Sequence, residues 1–180
     1  MTKACCGTSV GVTIYDEAYN QMLMIRRSTA PAYITPVTGH ALGEHASYEA
    51  AAREKVAEET GLKVTGLTRL PVGGFHPGQC RRQGGNGHTW ELYEATVEGD
   101  LAAFEREGTG VGWWETLDFQ FFADRTATWA RGQITEDELA VHPGLDPVWM
   151  QWMSELGLFD LPASAMNAIK ATTVAPPSQH

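Results

Sequence analysis

The stretch Thr38–Leu62, TGHALGEHASYEAAAREKVAEETGL, constrains this chain more than any other. Ser47 offers a side-chain acceptor where a helix can start, and Glu49 falls in the first turn, where the helix dipole favours an acid. Tyr48 to Thr60 is alanine-rich and free of Gly and Pro, and Gly61 suits the left-handed residue that ends many helices. The pattern predicts a loop, then a helix over 48–60, then a stop. Wound at about 100° per residue, this helix turns Val56 inward beside Ala52 and Thr60. Lys55 and Glu59 share one flank, four residues apart, and Glu58 continues round from them. Two readings follow. The flank is a solvated face with a Lys55–Glu59 ion pair, or Glu58 and Glu59 hold a hard cation such as Mg²⁺ against a substrate diphosphate.

At 180 residues the chain is long enough for one real core. The net charge of −9 argues against general binding to nucleic acid or an anionic membrane surface. A local group of arginines can still grip a phosphorylated small molecule. No long apolar run opens the chain, so neither a leader nor a membrane span is expected. Three cysteines, Cys5 and Cys6 adjacent, suggest no disulfide framework, and a reduced, cytoplasmic protein is expected.

Ser9–Tyr15 and Gln21–Ile25 read as two strands joined as a hairpin. Arg26 and Arg27 close the second, either as edge charges or as a phosphate clamp. Residues 30–37, with Pro31 and Pro36, form an extended lead-in. Past the helix, residues 63–72 hold short β-like segments. Gly73 to His88 carries six glycines and is expected to be a mobile loop beside the site, with Arg81 and Arg82 facing solvent or a substrate phosphate. Within it, His76, Cys80 and His88 have a spacing that could hold zinc, but no fourth ligand is evident.

His88–Val97 is the clearest strand. Its Trp90 or Tyr93 either stacks on a base or belongs to the core. Glu107 lies in a polar connection before a short strand at Val111–Trp114. A helix is expected within residues 118–131, ended by Gly132, and a short acidic segment over 134–141. Asp146-Pro147 then opens a helix with an apolar stripe of Val148, Trp149, Trp152, Met153 and Leu156, suited to core packing or to a homodimer contact. The expected layout is a single domain over 1–160 and a mobile tail over 161–180.

The 38–62 run resembles the Nudix box, G-x₅-E-x₇-R-E-U-x-E-E-x-G-U with U aliphatic. Val56, Glu58, Glu59, Gly61 and Leu62 match. Four positions depart: His40 at the glycine, Ala46 at the first glutamate, Glu54 at the arginine and Lys55 at the following glutamate. The G-x-G-W-W run near residue 112 is also similar to the late part of such domains, where a further acid often lies; Glu107 is the candidate. The resemblance implies an α+β fold, an α/β/α sandwich with a mixed sheet between helices. It implies hydrolysis of a diphosphate linkage in a nucleoside diphosphate derivative, with Mg²⁺ or Mn²⁺ as cofactor. Glu58 and Glu59 would be metal ligands and Glu107 a further ligand or base. Arg26, Arg81, Arg82 and Trp90 would contact substrate. Lys55 puts an ammonium where a ligand is expected, and Glu44, His40 or His45 could replace what is lost. The alternative is a Nudix-like ligand-binding domain that has lost catalysis.

Overall fold

The computed structural model describes residues 4–28, 31–80, 82–101 and 110–174. Among the described residues, eight strands form two four-stranded sheets. One has the order β4 (Val37–His40), β1 (Thr8–Thr13), β6 (Gly87–Glu98), β5 (Lys63–Pro77). The other runs β7 (Val111–Glu115), β2 (Gln21–Arg26), β3 (Tyr33–Thr35), β8 (Gly144–Leu145). Each is mixed: β1–β6 and β3–β8 are parallel, and the other pairs are antiparallel.

Strand periodicity explains why the sheets need helices on both sides. Alternate side chains of one strand point to opposite faces. In β6, Trp90 and Leu92 join one core cluster while Tyr93 and Ala95 join the other. In β2, Met22 and Met24 go one way and Leu23 the other. Helix α1 (Tyr48–Thr60) covers the second cluster through Ala51, Ala52 and Val56. Helices α2 (Phe119–Ala130), α4 (Pro147–Glu155) and α5 (Ala163–Val174) cover the first. The result is the expected α+β architecture, mixed sheets between helices. A short α3 (Glu136–Val141) carries a complete capping box from Thr135 and Glu138.

The helix signals in the sequence hold at residue level. Ser47 Oγ accepts from Ala50 N at 3.1 Å, and Gly61 ends α1 at φ 69°. Ser47→Ala should therefore cost about 1 kcal/mol, read as a lower urea midpoint with an unchanged slope. Asp146 caps α4, accepting from Val148 N at 2.9 Å.

Four expectations change. First, β1 and β2 are joined through Leu23 N to Ile14 O and an isolated Tyr15–Met22 bridge, then diverge into different sheets instead of forming one hairpin. Second, Gly73–Pro77 and Gly87–His88 are strand, so the loop proper is 78–86. The glycines there permit close strand approach: at Gly73, φ 134°, a Cβ would lie 2.7 Å from Trp90 O, beside a shift in the β5–β6 register. Third, residues 163–174 of the expected tail form α5, with Ala165 and Ile169 buried. Ile169 and the partly buried Met166 are its large apolar side chains on the core, too few for a clear periodic signal. Fourth, the residues before the box helix include the strand β4.

Candidate active site and a neighbouring thiol–imidazole cluster

Edge strand β4 organises the site, because its two faces serve different neighbours. Thr38 faces α4: its Oγ1 accepts from Trp149 Nε1 at 2.6 Å. Its backbone N meets Glu59 Oε2 at 3.5 Å. Gly39 lies under α1, where a Cβ would sit 2.5 Å from Lys55 Cδ. His40, on the same face as Thr38, has its Nε2 3.2 Å from Cys80 Sγ.

A cleft of about 300 Å³ opens beside β4. Thr38, Gly39 and His40 line one side, with Trp90 and Trp149 as its aromatic wall and Asp146 and Gly78–Cys80 at its rim. The two indoles meet edge to face, centroids 6.4 Å apart. Asp146 is largely but not wholly buried, and burial pushes its carboxyl pKa up against the pull of the Val148 N–H and the Arg27 guanidinium 3.7 Å away.

On α1, Lys55 Nζ pairs with Glu58 Oε2 at 2.5 Å and not with Glu59 as the sequence suggested. Three and four residues ahead are both within reach on a helix; Glu59 is drawn against Thr38. Burial raises the Glu59 carboxyl to about 7, opposed by the Thr38 N–H and the Lys55 charge. The loop residues that could have replaced lost ligands are engaged elsewhere. His45 Nδ1 bonds Glu54 Oε2 at 2.9 Å, Glu44 pairs with Arg82 at 2.8 Å, and His40 belongs to the thiol cluster.

Whether α1 suits a divalent ion turns on oxygen ligands. Mg²⁺ is commonly held by one or two carboxylates, with waters and substrate phosphate oxygens completing the shell. Glu58 and Glu59 supply two carboxylates, and among the described residues no third acid groups with them. The donor set fits an ion of that partly hydrated kind. It fits only when Glu58 gives up its contact with Lys55.

The other candidates are scattered. Arg26 is exposed and donates to the Ala140 carbonyl, tying β2 to α3. Arg82 lies with Gln79, Cys80 and Gln83–Asn86 around a hollow beyond the cleft rim. Trp90 lines the cleft but is 7% exposed and belongs to the core cluster. Tyr93 faces the α1 side and donates to Glu91 Oε2 at 2.7 Å. Arg81 and Glu107 lie outside the described residues.

Two members of the zinc triplet suggested by spacing meet in the fold, and the third does not. Cys80 and His88 come together, joined by Cys5 and His40, with all four ligand atoms within 4.8 Å of one another. His76 is instead buried against Trp152. The missing partners sit 75 and 40 positions away from Cys80 along the chain, so no local spacing could reveal them. Burial is the main influence lowering the pKa values of His40, to about 4, and His88, with the Arg82 charge adding to it in both.

The family model described as the NUDIX domain matches residues 7–137. With the sandwich and the α1 acids in place, this chain belongs to the NUDIX domain family. It is similar to a solved structure of MutT, from work on Aliivibrio salmonicida and Vibrio cholerae, at 16% identity and a TM-score of 0.44, over 62% of this chain and 82% of that one. It is also similar to the Ap4A hydrolase of C. elegans, at 19% identity and a TM-score of 0.41, over 62% of this chain and 81% of that one. No protein of curated function matches it significantly in sequence. Among the described residues, no helix is long and apolar enough to cross a membrane.

Proposed function

We propose that this chain is a metal-assisted hydrolase of a diphosphate linkage in a nucleoside diphosphate derivative. Family membership sets the class of chemistry. The observation that carries the reading to this chain is Thr38. Its backbone N meets the Glu59 carboxylate, while its hydroxyl bonds Trp149 in the wall of the cleft. A ligand in the cleft therefore lies one residue away from the acids of α1. Glu58 and Glu59 would hold Mg²⁺ or Mn²⁺. When bound, the ion would screen phosphate charge and favour a hydroxide-like water. Trp90 and Trp149 offer an apolar wall to a base or similar flat group. Arg82, in the hollow beside the rim residue Cys80, is the candidate phosphate contact; Arg81 and Glu107 are kept as candidates from the sequence alone, for a second phosphate contact and a further acid.

One observation favours a second reading, a ligand-binding domain without turnover. The Lys55 ammonium already contacts Glu58 at 2.5 Å and supplies the positive charge that a metal would bring. A panel of nucleoside diphosphate derivatives with Mg²⁺ or Mn²⁺, scored for released phosphate species, separates the two. Metal-dependent release from any panel member supports the hydrolase. Saturable binding of such a compound with no release at any metal concentration supports the binder.

A further inference from the structure

We propose that Cys5, His40, Cys80 and His88 form a structural zinc site that fastens the amino-terminal segment and the 78–86 loop to the sheet beside the cleft. Two sulfurs and two imidazole nitrogens, drawn from four separate parts of the chain, converge within 4.8 Å. Cys5 Sγ lies 3.0 Å from His88 Nε2, and His40 Nε2 lies 3.2 Å from Cys80 Sγ. Tetrahedral zinc, with bonds of about 2.3 Å to sulfur and about 2.0 Å to nitrogen, separates S and N ligands by roughly 3.5 Å. Those two separations need to widen only by tenths of an ångström to admit the ion, and the remaining pairs already lie within 4.8 Å.

The surroundings support the ligands individually. Gly7 N donates to Cys5 Sγ at 3.4 Å, and Arg82 N to Cys80 Sγ at 3.3 Å. Each sulfur thus accepts a backbone N–H from two residues ahead, a donor that would also serve a metal-bound sulfur. The outer nitrogen of His88, Nδ1, is 2.5 Å from Ser9 Oγ, which fixes the ring and leaves Nε2 aimed into the cluster. A mixed S₂N₂ tetrahedral set selects zinc over Mg²⁺ or Ca²⁺, which want oxygen. Four protein ligands leave no open position, so the site is structural rather than catalytic.

The site also accounts for a departure in the box. His40 stands where the family pattern has glycine, and here it is a ligand. His40, Cys80 and His88 all line the cleft, so the ion would hold the cleft rim in place. Zinc binding at these four residues does not depend on turnover in the cleft. The competing chemistry is a Cys5–Cys80 disulfide, which would leave both imidazoles without their sulfur partners.

The test uses the full chain without a histidine tag, kept reduced. Elemental analysis of the purified protein should give one zinc per chain. Cobalt replacing it should show thiolate charge-transfer and tetrahedral d–d absorption. Cys5→Ser/Cys80→Ser should lose both signals, and chelation of the wild type should lower its Tm by several degrees, since a metal bound only by the folded state adds to stability. Three results would overturn the proposal: no zinc bound when Zn²⁺ is titrated into the reduced protein, zinc retained by the double variant, or a Cys5–Cys80 disulfide in protein prepared without reductant that forms as readily when zinc is present. The cobalt spectrum needs only wild type, so a variant that fails to fold does not rescue the idea.

Discussion

Trp149→Ala should lower stability by about 3–5 kcal/mol and Tm by roughly 6–20 °C. The indole is 1% exposed and belongs to the cluster that binds α4 to the sheet. It lies so close over β1 that a Cβ at Gly11 would be 2.4 Å from its Cζ2. Removing it leaves a void against β1 and β6 that these paired strands cannot close. It also deprives Thr38 Oγ1 of its donor. Trp149→Phe keeps most of the apolar volume and loses the N–H, so it should cost much less and separate packing from hydrogen bonding. Thermal and urea unfolding check both variants. A loss under about 1 kcal/mol for Trp149→Ala would mean that α4 is not part of the cooperative core. Because Trp149 walls the cleft, the alanine variant should also weaken binding of any base-bearing ligand at temperatures where it remains folded.

The local devices of this fold were legible, and its long-range closures were not. Ser47, Gly61 and the Asp146-Pro147 pair announce helix ends because capping involves only neighbouring backbone groups. The alternation of His88–Val97 likewise shows a strand, while its burial on both faces emerges only from the two layers of helices. The chain between β1 and β2 resembles a hairpin because a short polar link does join them. Their divergence into two sheets depends on β6 and β7, which come much later. The glycines of 73–88 mislead for a different reason. Gly suits both mobile loops and tightly approaching strands, and only the Trp90 backbone opposite Gly73 decides between them. At the site, the acids of α1 were legible as a family pattern. The thiol–imidazole cluster was not, since its four members are brought together only when the amino terminus, β4, the loop and β6 meet.

Glu59→Gln should separate the use of α1 from its packing. Glu59 is partly buried against β4, and burial raises its carboxyl to about 7. An acid whose folded pKa is raised favours the protonated form. The folded state is then most secure below the ordinary carboxylate range and loses stability as pH climbs towards 7. Glutamine has nearly the shape of the protonated acid and no charge to bury. Glu59→Gln should therefore match or exceed the wild-type Tm at pH 8, where an ordinary loss of a buried contact would lower it. Mn²⁺ binding and hydrolysis should both fall by about tenfold or more, as loss of a direct ligand does. Lys55→Glu should act in the opposite direction on the metal. It frees Glu58 and adds a third carboxylate, so Mn²⁺ should bind more tightly. Its cost in stability exceeds that of a simple surface ion pair, because the Lys55 stem packs over Gly39; the loss should be about 1–2 kcal/mol. Isothermal titration with Mn²⁺, together with melts at pH 5 and pH 8, tests wild type and both variants. Tighter binding in Lys55→Glu without turnover in the wild type would identify Lys55 as the group that silences the box. Equal Mn²⁺ affinity in all three proteins would remove α1 as the metal site, and the hydrolase reading would lose its support.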